Sequence, residues 1–184
     1  MSDALEKIIE RISAYEILNN IIPGTIYVVL TEKLTPFKIQ TGSVWSDLVL
    51  YYFIGLVIGR VGSLVVERFL KKVNKLHFEP HSNYVKAEHK DKIVRELSTI
   101  NNMYRTYTAV ALCLVFTVGF DFLWALIKGC DCSKPIIIFA GCIVLMLIFD
   151  LSYIKQTAYV ASRVKTINEL NKEETNIILP DARK

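Results

Sequence analysis

The chain has 184 residues, 52% of them hydrophobic, a mean hydropathy of +0.35 and a formal net charge of +4. Its apolar residues are clumped into runs near the length of about 20 residues that a helix needs to cross a bilayer, which excludes an ordinary soluble domain. The length leaves room for one compact membrane domain with small soluble appendages, not for two large domains.

The opening MSDALEKIIERIS alternates its charges and has no apolar run beside a small-residue cleavage site, so it does not read as a secretory signal or a lipidation motif. Asp3 to Leu18 reads as an amphipathic helix. Leu5, Ile8, Ile9, Ile12 and Tyr15 recur at helical spacing, opposite Glu6, Lys7, Glu10 and Arg11. That face suits either the protein's own body or a membrane surface.

The first hydrophobic segment, Ile17 to Thr31, is short for a span. Asn19 and Asn20 lie just before Pro23-Gly24, and a proline within a helix removes a hydrogen bond and kinks it. The expectation is a distorted crossing or a re-entrant segment, tolerated where protein or water covers it. The second segment, Val44 to Val66, is long enough to span, with Asp47 near one end and Arg60 nearer the other. Gly55, Gly59 and Ser63 share one face, a seam on which another helix can approach closely.

The third segment, Tyr107 to Ile127, carries Asp121, and the fourth, Pro135 to Ile154, carries Asp150. The short link between them forces an antiparallel helical hairpin. The expected fold is an all-α membrane protein with four transmembrane helices, helical extensions and a homo-oligomeric state. Its divisions are an N-terminal helix (1–16), two spans (17–66), a basic region (67–106), the hairpin (107–154) and a C-terminal helix and tail (155–184).

Nine of the 22 lysines and arginines fall between Glu67 and Arg105, and six more follow from Lys155 onward. Lys33 and Lys38, then Lys128 and Lys134, are all that the other two loops hold. The positive-inside rule places the basic region and both termini in the cytoplasm, with the spans in a cytoplasmic membrane. Tyr84 to Arg105 reads as a helix with a partial apolar stripe. In the tail, Tyr153, Thr157, Val160, Val164 and Ile167 form a heptad-like seam, suited to self-association or to that helix. Of the four cysteines, Cys113 and Cys142 sit in apolar runs as packing residues, and Cys130 and Cys132 flank Asp131 in a loop, too few for a structural zinc site.

No phosphate-binding glycine loop, nucleophile elbow or zinc-protease motif occurs, so no catalytic residue, metal or cofactor is assigned and an enzyme is not expected. Charges at membrane depth cost several kcal/mol, by roughly 2.5–3.5 on insertion scales, unless paired or hydrated. Arg60 and Asp150 fall at similar depth and form a candidate ion pair. Asp47 and Asp121 lie toward the opposite face, where they serve as interfacial aspartates or line a vestibule. Arg60, Asp121, Asp150, Asn19 and Asn20 are therefore the pore or gating candidates.

In the basic region, cations interleave with aromatics and histidines, a mixture that suits an anionic oligonucleotide through phosphate contact and base stacking. Lys86, Lys90, Lys92 and Arg95 are the phosphate-contact candidates, and Tyr84 or His81 the stacking surface. Five acidic residues dilute this charge, and contact with anionic lipid is the plainer role of lysines beside a membrane.

The runs Tyr15-Glu16-Ile17-Leu18-Asn19-Asn20-Ile21-Ile22-Pro23-Gly24, Tyr52-Phe53-Ile54-Gly55-Leu56-Val57-Ile58-Gly59-Arg60-Val61-Gly62-Ser63 and Lys86-Ala87-Glu88-His89-Lys90-Asp91-Lys92 resemble small bacterial membrane proteins of anti-phage defence loci, in particular the membrane effector of Hailong-type systems. The resemblance implies an oligomeric ion channel held shut by a DNA oligomer that a partner nucleotidyltransferase makes. It carries over no residue-level gate. The competing expectation is a non-conducting membrane anchor or adaptor for a cytoplasmic partner protein.

Overall fold

The computed structural model describes residues 20–129 and 133–178, with side chains for 20–129 and 136–171. The amphipathic helix expected over Asp3 to Leu18, Asn19, and the loop thiols Cys130 and Cys132 lie outside the described residues. Every regular element among the described residues is a helix, with no strand.

Helix α1, Ile22–Leu34, has 13 residues, and Pro23 stands in its first turn. Asn20 and Ile21 before it are π-helical, with Ile21 in the right-handed helical region, so the Pro-Gly pair stands where π-helical winding gives way to α-helical. At 1.5 Å per residue α1 is about 20 Å long, short of the roughly 30 Å hydrocarbon core. Among the described residues three helices are long and apolar enough to cross a membrane: Val44–Lys72, Ile93–Ile127 and Ile136–Asn171.

Two carboxylates hold the turn after α1. Glu32 Oε1 accepts the backbone N–H groups of Ile39 (2.6 Å) and Gln40 (2.7 Å), which hold its carboxyl below the ordinary range. Asp47 Oδ1 accepts the N–H (2.7 Å) and hydroxyl (2.8 Å) of Thr41. Asp47 is thus a structural residue of this loop.

Helix α2 is Val44–Lys72, interrupted by one π-helical stretch, Gly62–Val66. It runs past the apolar segment by the six residues Glu67–Lys72. Asn74 ends it in the left-handed conformation (φ 59°), with Lys75 N–H bonded to Leu70 O and Asn74 N–H to Lys71 O, both at 3.0 Å. Those two bonds satisfy carbonyls that the last turn would leave open.

Helices α3 (His81–Lys90), α4 (Ile93–Ile127) and α5 (Ser133–Ile178) follow. At 35 and 46 residues, α4 and α5 extend about 52 and 69 Å, well beyond one bilayer. The boundaries expected near residues 106 and 154 fall inside continuous helices, because hydropathy marks where the solvent changes and not where a helix ends. The expected hairpin is present: Phe122 stacks on Phe139, Tyr107 on Phe149, and Asp91 meets Arg163. Numbers fall along α4 as they rise along α5, so the two stay antiparallel throughout.

The core divides in two. Within the spans, Ile58, Val66, Leu114, Val118 and Cys142 pack among partly buried residues of α1. Beyond them lies a smaller cluster of Ala87, Val94 and Val164, flanked by Tyr84, Val160 and Ile167. α3, the start of α4 and the end of α5 thus form a three-helix head. The tail seam packs within one chain: Tyr153 is buried in the spanning cluster, and Val164, with Val160 and Ile167 beside it, in the head cluster. Of its two expected uses, the structure shows the intramolecular one.

Candidate functional site

The expected helix–helix seam on α2 does two different jobs. A Cβ on Gly55 would collide with the Asn20 carbonyl, and one on Gly24 with the Tyr51 carbonyl, so α1 and α2 touch backbone to backbone. One turn further on, a Cβ at Gly59 would meet nothing within 4 Å. The helices diverge there around a cleft of about 390 Å³, whose polar lining is Asn20, Arg60, Ser63, Asn102, Arg105 and Thr106. The π-helical stretch begins beside it at Gly62, where a Cβ would lie 3.2 Å from the Arg105 carbonyl oxygen.

Arg60 and Asn20 are thus brought together. Arg60 and Asp150 are not: no ion pair joins them, and they border different clefts. Asp150 edges an apolar cleft of about 250 Å³ between α2, α4 and α5, lined by Val65, Phe69, Leu112, Phe116 and Met146. Among the described residues Arg60 has no carboxylate partner. The ion pair that does link α2 to α4 was missed from sequence: Arg105 Nη1 lies 2.9 Å from Glu67 Oε2, and Lys71 Nζ 2.7 Å from the other oxygen. Arg105 Nε is buried without a hydrogen-bond acceptor.

Asp121 is half-buried near the far end of α4, with no ion pair among the described residues. Trp45 at the start of α2 and Trp124 at the end of α4 are exposed, and Lys128 stands 5.0 Å from the Trp124 ring centre. Tryptophan beside lysine is the usual dressing of a membrane–water boundary.

On the head, Lys86, Lys92, Arg95 and His81 are exposed. Lys92 and Arg95 line a shallow cleft of about 610 Å³ with Glu88, His89 and Glu96, and Arg95 Nε lies 3.8 Å from Glu88 Oε1. Lys90 is on the exposed side of the same short helix as Lys86. Tyr84 is half-buried against the head core, so its ring packs instead of offering a stacking platform. The mixture of acids and cations was legible in the sequence; the corner that shapes it was not. Asp91 separates α3 from α4: its Oδ1 accepts the Ile93 N–H (3.0 Å) and its Oδ2 accepts Arg163 Nε (2.9 Å) and Nη2 (2.7 Å). The Arg163 guanidinium, helped by the Ile93 N–H, holds the Asp91 carboxyl below its ordinary range. Asn168 Nδ2 donates to the Asn83 carbonyl (2.9 Å), a second tie between α5 and α3. The tail seam was the only sequence signal for these contacts.

Among the described residues no group of three histidine, cysteine or carboxylate side chains is placed to hold a metal ion. No protein-family model matches the chain, and no curated protein or solved structure is significantly similar to it.

Proposed function

We propose that the chain is one protomer of a homo-oligomeric ion channel that acts in bacterial anti-phage defence and is kept closed by an anionic oligonucleotide at its cytoplasmic face. The spanning helices lie in the inner membrane, and the head lies in the cytoplasm with both termini, as its excess of lysine and arginine favours. The first hydrophobic segment, Ile17 to Thr31, is the fourth crossing.

One observation carries this reading: α4 and α5 run unbroken from the cationic surface of the head into the bilayer. A ligand on the head therefore bears directly on two spanning helices. It holds the pore shut by binding the closed arrangement better than the open one. Four helices from one chain are too few to enclose a wide aqueous pore, so several copies surround it. Asp121 and Asp150 are the candidate pore carboxylates, and the Arg60–Asn20 cleft, beside the π-helical stretch, is the candidate gating point. Such stretches recur at functional sites.

Lys86, Lys90, Lys92 and Arg95 contact phosphates, with His81 as the ring left for stacking. A partner nucleotidyltransferase supplies the oligomer, as the Hailong-type resemblance implies. Binding of short single-stranded DNA to the purified protein, measured across a salt series, tests this. If the four cations each neutralise a phosphate, log affinity falls against log salt with a slope of roughly −3 per protomer. Charge reversal at Lys86 and Lys92 should weaken binding and flatten the slope. Absence of binding at low salt, or binding indifferent to salt, rules the ligand out and leaves a non-conducting anchor for a cytoplasmic partner as the better reading.

A further inference from the structure

The cleft between α1, α2 and α4 has a charge imbalance that the described residues do not resolve. Arg60 and Arg105 both line it, and Glu67, the carboxylate that pairs with Arg105, is shared with Lys71. Arg60 has no carboxylate among the described residues, and Arg105 keeps a buried Nε without an acceptor. Two guanidinium groups facing one cleft repel each other unless an anion sits between them, and guanidinium matches the oxygen spacing of a phosphate.

Position narrows the choice of anion. Arg60 lies seven residues before Glu67 on α2, about 10 Å deeper along the helix. The Glu67–Arg105 pair and the basic turn of Lys71 and Lys72 mark the head-side membrane boundary. Leu56 lines the cleft, and Leu64 and Val65, also on α2, are exposed as lipid-facing residues are. The opening is therefore polar at the boundary and apolar toward the bilayer. Asn20, Ser63 and Asn102 add uncharged hydrogen-bonding groups around it, and its volume of about 390 Å³ is enough for a headgroup.

We infer that this cleft is a phosphate site, occupied by the headgroup of an anionic phospholipid from the head-side leaflet, with Arg60 and Arg105 as the phosphate ligands. The headgroup supplies the negative charge that the described residues lack there, and it wedges α1 and α4 apart where α2 changes to π-helical winding. The site stands on its own geometry and does not depend on conduction.

Native mass spectrometry and thermal melting of the full-length protein in a neutral detergent test it. Phosphatidylglycerol is one probe, phosphatidylcholine the control lipid and inorganic phosphate the soluble probe. Phosphatidylglycerol should stay bound and raise the melting temperature, and phosphatidylcholine should do neither. Arg60→Gln should weaken phosphatidylglycerol retention about tenfold, the effect of losing one charge-assisted contact. Gly59→Leu fills the cleft without a backbone collision and should abolish retention while the protein still folds. Stabilisation by inorganic phosphate that Arg60→Gln removes would confirm the phosphate site and assign a soluble source. Equal retention of both lipids, or phosphatidylglycerol retention unchanged in Arg60→Gln and Gly59→Leu, overturns the inference.

Discussion

The two halves of the α4–α5 hairpin are built by opposite rules although they share the same two helices. In the spanning half, Phe116, Leu123, Ile137, Leu147 and Leu151 face outward. The helices meet instead through Gly119 against Phe139 and through stacked aromatic pairs. Lipid is as apolar as leucine, so apolar burial gives no drive for association there, and close fit takes over. In the head the pattern inverts: Val94 and Val164 are buried, and Lys92, Arg95 and Lys165 are exposed. Polar ties fix the register, among them Thr157 Oγ1 donating to Asn101 Oδ1 at 2.9 Å in a buried site, with the Tyr153 carbonyl equally near. Water makes apolar burial favourable, and the enclosed polar groups must then be satisfied.

This contrast can be broken on the spanning side first. Gly55→Leu puts a side chain where the Asn20 carbonyl already lies, and no rotamer avoids a backbone clash. Overpacking of that kind costs about 3 kcal/mol or more. The expected result is loss of the monodisperse peak in detergent gel filtration, whereas Gly59→Ala, one turn away, should elute and melt like the parent. On the head side the corresponding break is polar. Thr157→Val keeps the shape but leaves Asn101 Oδ1 without its donor, at an expected cost of about 1–3 kcal/mol. Thermal unfolding should register it, and hydrogen exchange should rise in α3 and the start of α4 while the spans stay protected.

The smallest effect concerns the Asp91–Arg163 tie, which is partly exposed. The Asp91 carboxyl is depressed in the folded protein, so its contribution is present above the unfolded carboxyl value of about 3.9 and is lost as the pH falls through the lower folded value. Melting of the parent should therefore decline below about pH 4 more steeply than melting of Asp91→Asn. Parallel pH curves for the two proteins would remove the tie from the account.

Long-range features are legible in the sequence where they leave a periodic or compositional trace. The clumped apolar runs locate the three helices that, among the described residues, are long enough to span, and the heptad-like spacing from Tyr153 to Ile167 locates the face of α5 that packs. Two features left no such trace. Hydropathy cannot show that α2 continues to Lys72 or that α4 begins at Ile93, because helix propensity does not change where the solvent does. Pairing at depth was also illegible: the apparent levels of Arg60 and Asp150 match, yet α2 turns them into separate clefts, and Glu67 meets Arg105 instead. Tyr84 shows a third difficulty, since an aromatic ring beside lysines can equally be the lid of a small core.

Ion flux through proteoliposomes made from the purified full-length chain tests the proposed function most directly, with a short single-stranded DNA oligomer added on the head side at low salt. The account predicts flux without the oligomer, suppression when it is added, and recovery of flux as salt displaces it. Vesicles that stay sealed without the oligomer, or leak equally with and without it, would contradict the account.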